Sequence, residues 1–123
     1  MISSIVTQNN EARITLTVKG TNGVNAGISA VIDTGFTDEL TLPKDWVDAL
    51  ALPQVNTFGI TLADGSRIEA PIHDAVIIWV GQPRSVFVHC MEGDALVGMG
   101  LMKDFLLHLP VRIGAEFTLS AMD

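Results

Sequence analysis

Ile28-Ser29-Ala30-Val31-Ile32-Asp33-Thr34-Gly35 is an apolar run that ends in a carboxylate, a small hydroxyl residue and a glycine. Its β-branched residues suit a strand. A carboxylate beside such a strand is costly to bury unless it is hydrogen-bonded or protonated. A glycine two places on lets the backbone turn sharply and frees its N–H to approach that carboxylate. Thr34 can brace the loop through its hydroxyl. The stretch therefore suits an acid held rigidly at the floor of a cleft. It also suits an ordinary turn, with Asp33 capping backbone N–H groups and Gly35 in the left-handed region. A bare tripeptide does not choose between the two.

Outward toward the N-terminus, Ala12 to Lys19 alternates, with Ile14, Leu16 and Val18 on one face and Arg13, Thr15, Thr17 and Lys19 on the other. That is a half-buried strand. Asn22-Gly23 follows as a hairpin turn, and Ala26 to Ile32 returns into Asp33. In the other direction, Thr41 is expected to cap a short helix begun by Pro43, with Asp45 in its first turn and Trp46, Val47 and Leu50 facing inward, stopped at Pro53. Phe58 to Leu62 and Arg67 to Ile72 flank Ala63-Asp64-Gly65-Ser66 as a second hairpin. Ala75 to Val80 and Ser85 to Met91 read as two apolar strands joined at Gly81-Gln82-Pro83. Ala95-Leu96-Val97 leads into Gly98. Leu101, Met102, Phe105 and Leu106 predict a helix over Leu101 to His108, and Glu116 to Ser120 a last strand. The fold expected is all-β, mainly antiparallel, with one or two short helices, in a single domain spanning 1–123.

The 123 residues are 48% apolar and 17% charged, apolar for a chain so short, and surplus apolar surface favours a homodimer interface. The net charge is −7, and the seven basic residues (Lys19, Lys44, Lys103, Arg13, Arg67, Arg84, Arg112) are scattered. Nucleic acid needs concentrated positive charge and is not expected as a partner. Cys90 is the only cysteine, so no intrachain disulfide forms. Met1 to Asn10 shows no secretory signal pattern, and the longest apolar run, Ala75 to Val80, is too short to span a bilayer. A cytoplasmic protein without a membrane association is the expectation.

From Val31-Ile32-Asp33-Thr34-Gly35, through the hairpin at Ala63-Asp64-Gly65-Ser66, to Leu96-Val97-Gly98 ahead of Leu101 to His108, the order of parts resembles the retropepsin-like (retroviral-type) aspartic proteases. The string Asp33-Thr34-Gly35-Phe36-Thr37, continuing to Leu40-Thr41-Leu42-Pro43, is similar to the bacterial and archaeal branch of that clan. The resemblance implies a half-barrel subunit of a homodimeric aspartic endopeptidase acting on peptide or protein substrates without a cofactor. Asp33 would be catalytic, and Thr34, Gly35 and Gly98 would support the active-site loop. Phe36, Ala63, Asp64, Gly65 and Ser66 would meet substrate, the last four as the tip of a flap. Terminal strands, Ile2 to Thr7 and Phe117 to Ala121, would build much of the dimer interface. The chain departs from the pattern at Phe36, where many members have Ala or Ser, and at a flap tip with one glycine and a charged Asp64. These departures motivate an alternative, a catalytically inactive dimer of the same fold that binds a peptide or protein.

Only one Asp-Thr-Gly exists, and the chain is too short for two lobes. The chemistry needs two carboxylates about 3 Å apart sharing one proton, as is established for aspartic proteases. A second Asp33 must therefore come from a twin chain. His73, His89 and His108 lack the spacing of zinc ligands, so no metal site is expected. His89 and Cys90 are neighbours on a strand and point to opposite faces, against a Cys–His nucleophile. Asp38, Glu39, Asp48, Asp74, Glu92, Asp94 and Asp104 read as solvated or capping carboxylates.

Overall fold

Strands β2 (Arg13–Lys19) and β3 (Asn25–Ile32) form the expected hairpin, with Ile14 opposite Ala30 and Leu16 opposite Ile28. Gly23 sits at φ 83° in the turn, a conformation open to glycine at no steric cost. The alternation read from the sequence is the burial pattern observed: Ile14, Leu16 and Val18 are buried and the residues between them face out or are half-buried. In this computed structural model residues 1–122 are described. The remaining elements are β1 (Ile2–Ile5), β4 (Leu40–Leu42), α1 (Lys44–Ala49), β5 (Gln54–Thr61), β6 (Arg67–Trp79), β7 (Gln82–Cys90), β8 (Ala95–Val97), β9 (Phe105–His108) and β10 (Glu116–Ala121).

The main sheet runs β2-β3-β8-β4-β7-β6-β5, and an additional β2–β6 pairing rolls it into a barrel around the core. Two features of the order position the site. β8 lies between β3 and β4, parallel to β3 and antiparallel to β4. The chain between β3 and β4, residues 33–39, must therefore arch over the end of β8, where Gly98 begins. Secondly, β6 is one continuous strand where the sequence suggested two. Its first part pairs with β5, and from Ile72 onward it also pairs with β7. The β5–β6 ribbon ahead of Ile72 thus projects from the barrel on its own two-stranded ladder.

Several expectations fail for identifiable reasons. Leu101 to His108 is not a helix: Leu101 and Met102 are buried in a turn, and Phe105–His108 is strand β9, paired with β10. A short apolar run fits either period, and the open edge of β10 supplies a ladder that a helix would forgo. Thr41 does not cap α1. It lies buried in β4, where its Oγ1 accepts a hydrogen bond from Leu96 N–H at 2.9 Å, and Pro43 occupies the N-cap without a side-chain bond. Trp46 is 37% exposed rather than inward, while Val47 and Leu50 are buried as expected. The β6–β7 turn falls at Val80-Gly81, both at positive φ, so Gln82 and Pro83 already belong to β7. Apart from these departures, the terminal strands pair with each other inside one chain, Ile2 opposite Leu119, in a sheet ordered β1-β10-β9, which does not bear on the interface expected of them. Among the described residues no helix is long and apolar enough to cross a membrane.

Thr41 supplies a first test. Thr41→Val keeps the shape but leaves the Leu96 N–H without its acceptor in a sheet centre, which costs about 1–3 kcal/mol. Urea unfolding is expected to show that loss. A variant as stable as the parent would mean that the hydrogen bond contributes nothing.

Candidate active site

Asp33 follows directly on β3, and its backbone N–H donates to Val97 O at 2.9 Å, so the ladder with β8 continues to the acid itself. One carboxylate oxygen, Oδ1, accepts the Gly35 N–H at 2.8 Å, and Phe36 N–H donates to the Asp33 carbonyl at 3.2 Å. A Cβ on Gly35 would approach that Oδ1 at 3.2 Å, a tight contact. Gly35 is absent from the positive-φ positions, so its small size, not a left-handed backbone, is what the turn uses. Asp33 is half-buried, and Thr34 and Gly35 stand exposed at the crest of the loop.

The loop rests on Gly98. A Cβ at that position would collide with the Asp38 carbonyl oxygen and come within 2.5 Å of the Phe36 ring and 2.8 Å of the Phe36 carbonyl. Gly98 N–H donates to Glu39 O at 2.9 Å, and Met99 N–H to Phe36 O at 2.7 Å. Two separate segments are thereby stitched backbone to backbone beside the loop that carries the half-buried Asp33. The missing side chain at Gly98 also makes room for Phe36. Its ring turns back against His89, centroids 5.8 Å apart.

Glu39 and Asp38, read from the sequence as solvated carboxylates, are tied into this arrangement. Glu39 accepts the Phe87 N–H at 2.9 Å and pairs with Arg84 at 3.3 Å, and Arg84 donates to Leu101 O at 3.1 Å. Asp38 Oδ2 lies 3.3 Å from Nε2 of the buried His89, whose ring also meets Phe58 of β5 in a T-shaped contact with centroids 4.5 Å apart. No spacing rule links residue 39 to 84 or 38 to 89, so local pattern could not reveal these pairs.

At the far end of the β5–β6 ribbon, Ala63, Asp64, Gly65 and Ser66 form the expected turn, with Gly65 at φ 85° and Leu62 N–H bonded to Ser66 O at 2.7 Å. Asp64 Oδ1 accepts from the Ser66 hydroxyl at 2.6 Å and from its N–H at 2.9 Å. These two bonds, the hydroxyl foremost, hold the Asp64 carboxyl below the usual aspartate range. The folded pKa is depressed, so the brace persists above the unfolded value and is lost only as pH falls through the lower folded one. Carboxyl NMR titration is expected to show Asp64 ionising at lower pH than an ordinary aspartate, and Ser66→Ala to move its midpoint up. Equal midpoints in both proteins would show that Ser66 does not brace the tip.

The structure does not gather all the sequence's candidates in one place. Asp33, Thr34, Gly35, Phe36 and Gly98 form one unit. The Ala63–Ser66 turn lies at the tip of a separate ribbon. A hollow of about 510 Å³ is lined by Lys19, Thr21, Leu52, Pro53, Asp74 and Ser85 among others, and Asp33, half-buried, is not among its lining residues. No group of three His, Cys, Asp or Glu side chains suited to a metal ion occurs among the described residues. Cys90 is half-buried, with its thiol pKa pushed up by burial and by nearby carboxylates.

No protein-family profile matches the chain, and no curated protein matches it by sequence. Solved structures do match. A retropepsin-like aspartic protease from Rickettsia conorii superposes with a TM-score of 0.68 at 17% identity, over 98% of this chain and 89% of that one. The EIAV protease, complexed with the inhibitor HBY-793, superposes with a TM-score of 0.54 at 16% identity, over 76% of this chain and 86% of that one. The chain has the retropepsin-like fold.

Proposed function

We propose that this chain, a single domain over 1–123, is one subunit of a homodimeric aspartic endopeptidase in which Asp33 of each protomer supplies half of the catalytic dyad. The reading draws on the retropepsin-like fold. The observation that carries it is the Asp33 carboxylate, fixed by the Gly35 N–H on an exposed loop that Gly98 supports from behind. A lone aspartate cannot act as base and acid at once. Two of them across a two-fold axis share a proton, so that one activates water while the other protonates the carbonyl oxygen of the scissile bond. In this reading Thr34, exposed in the single chain, bonds to its symmetry mate and locks the two loops together. The β5–β6 ribbon serves as a flap, and its tip, Ala63 to Ser66, closes over an extended peptide and pairs with its main chain as an added strand does. Phe36, its ring against His89, forms part of the cleft wall. The string from Asp33 to Pro43 favours the bacterial and archaeal branch of the clan.

The flap tip, with its charged Asp64 and single glycine, favours a second reading, a non-catalytic dimer that binds a peptide or protein in the same cleft. One experiment separates the two. Purified protein is incubated with a peptide library across acid pH, with and without pepstatin, and its dimerisation is followed by analytical ultracentrifugation. Pepstatin-sensitive cleavage by a dimer is the expected result. A protein that stays monomeric at every concentration, or a dimer that cleaves nothing across the acid range, would overturn the endopeptidase.

A further inference from the structure

Beside the catalytic loop lies a hollow of about 200 Å³ lined by Asp38, Asn56, Ile72, Phe87 and His89. Its floor follows from strand register. Asn56 pairs with Ile72 across β5 and β6, and Ile72 with His89 across β6 and β7, so these three side chains stand in one row on one face. Phe87 and its cross-strand partner Asp74 stand on that same face one step along. Asp38, five residues beyond Asp33 on the same loop, closes the near side.

Three observations define what fits there. Asp38 has a 59% exposed side chain, and its one ion-pair partner among the described residues is His89, which holds a single oxygen, Oδ2. Phe87 is 55% exposed although it stands on a strand and lines a hollow, so much of a large aromatic side chain is left accessible there. The surrounding charge is acidic: Asp38 lines the hollow with Phe87, Asp74 is Phe87's cross-strand partner, and Arg84 of the same strand is engaged by Glu39 and by Leu101 O. A carboxylate with a free oxygen, an accessible aromatic ring and an amide suit a guanidinium or ammonium group. The carboxylate gives a charge-assisted hydrogen bond and the ring a cation–π contact. An acidic side chain would be repelled, and an aliphatic one would leave Asp38 partly desolvated without a partner.

We propose that this hollow is a specificity subsite for a basic side chain, arginine above all, of the peptide bound in the cleft. The proposal rests on the cleft of the proposed function, and it gives that cleft a substrate class: extended peptides with an arginine set off from the scissile bond. His89 acts as a positioning residue. Its buried ring, in T-shaped contact with Phe36 and with Phe58, holds Asp38 at the rim of the hollow.

The test uses an Asp33→Asn protein, which binds without cutting, and a set of fluorescent decapeptides in a Leu/Ala background. One arginine is moved through every position, and each peptide has a twin with the neutral isostere citrulline. Anisotropy titration is expected to show, at one position only, the arginine peptide binding about tenfold tighter than its citrulline twin. In the Asp33→Asn, Asp38→Asn double variant that ratio falls to within about twofold, and Phe87→Leu lowers it by about threefold. Cleavage by the parent protein is scored separately. An arginine preference that depends on Asp38 supports the subsite even if no peptide is cut, and in that case only the endopeptidase falls. Cleavage with an arginine-to-citrulline ratio near one at every position overturns the subsite and leaves the endopeptidase standing. Failure to bind any peptide overturns the subsite, and the endopeptidase falls with it only if the parent also cleaves none.

Discussion

Asp33→Asn is expected to lower kcat/KM for any cleaved peptide by about 10³- to 10⁴-fold, the scale of a lost general acid–base group. An amide can neither take the proton from water nor share one with its symmetry mate. It can still accept the Gly35 N–H through its oxygen, the bond that shapes the loop at 2.8 Å. The variant should therefore fold, dimerise and unfold thermally within a degree or two of the parent. Asp33→Ala would lose that bond as well and show some loss of stability. Turnover at the parent rate in Asp33→Asn, with the folded protein intact, would remove Asp33 from the chemistry altogether. In mixed dimers that pair one parent chain with one Asp33→Asn chain, cleavage should vanish too, because one carboxylate cannot perform both roles.

Gly98→Ala carries the largest expected effect on the fold. The added methyl would overlap the Asp38 carbonyl and reach the Phe36 ring at 2.5 Å and the Phe36 carbonyl at 2.8 Å. Backbone oxygens cannot move aside without breaking the Gly98–Glu39 and Met99–Phe36 hydrogen bonds. A loss of about 3 kcal/mol in urea unfolding is expected, the upper range for overpacking a filled site. Because the displaced segment is the one that carries Asp33, activity should fall further than stability. Gly100→Ala provides a graded control. Its methyl would meet Asp38 and Thr37 backbone atoms at 3.0 Å, a smaller overlap that should cost less. Equal effects at the two positions would show that the contact beneath the loop is not what holds Asp33 in place.

Local pattern carried much of this far. Alternation at Ile14, Leu16 and Val18, the Asn22-Gly23 and Asp64-Gly65 turns, and the apolar strand into Asp33 are all decided within a few residues, because pleat and turn geometry are local. The same reasoning failed where two local structures compete. Phe105 to His108 satisfies a helical period and a strand equally well, and the vacant edge of β10 decided for the strand. It also failed at Thr41, whose partner, Leu96 N–H, lies on another strand.

The sequence by itself determined the carboxylate at Asp33 and the glycine beside it, and it holds a single Asp-Thr-Gly, so the proposed two-carboxylate chemistry would take its second acid from a twin chain. Only the tertiary structure decided what stands around that acid. It placed Gly98 beneath Phe36 and Asp38, joined Glu39 to Arg84 and Phe87, and lined up Asn56, Ile72 and His89 across three strands. These contacts join residues far apart in the chain, and their register is set by how the whole barrel closes. No window of neighbouring residues contains that information.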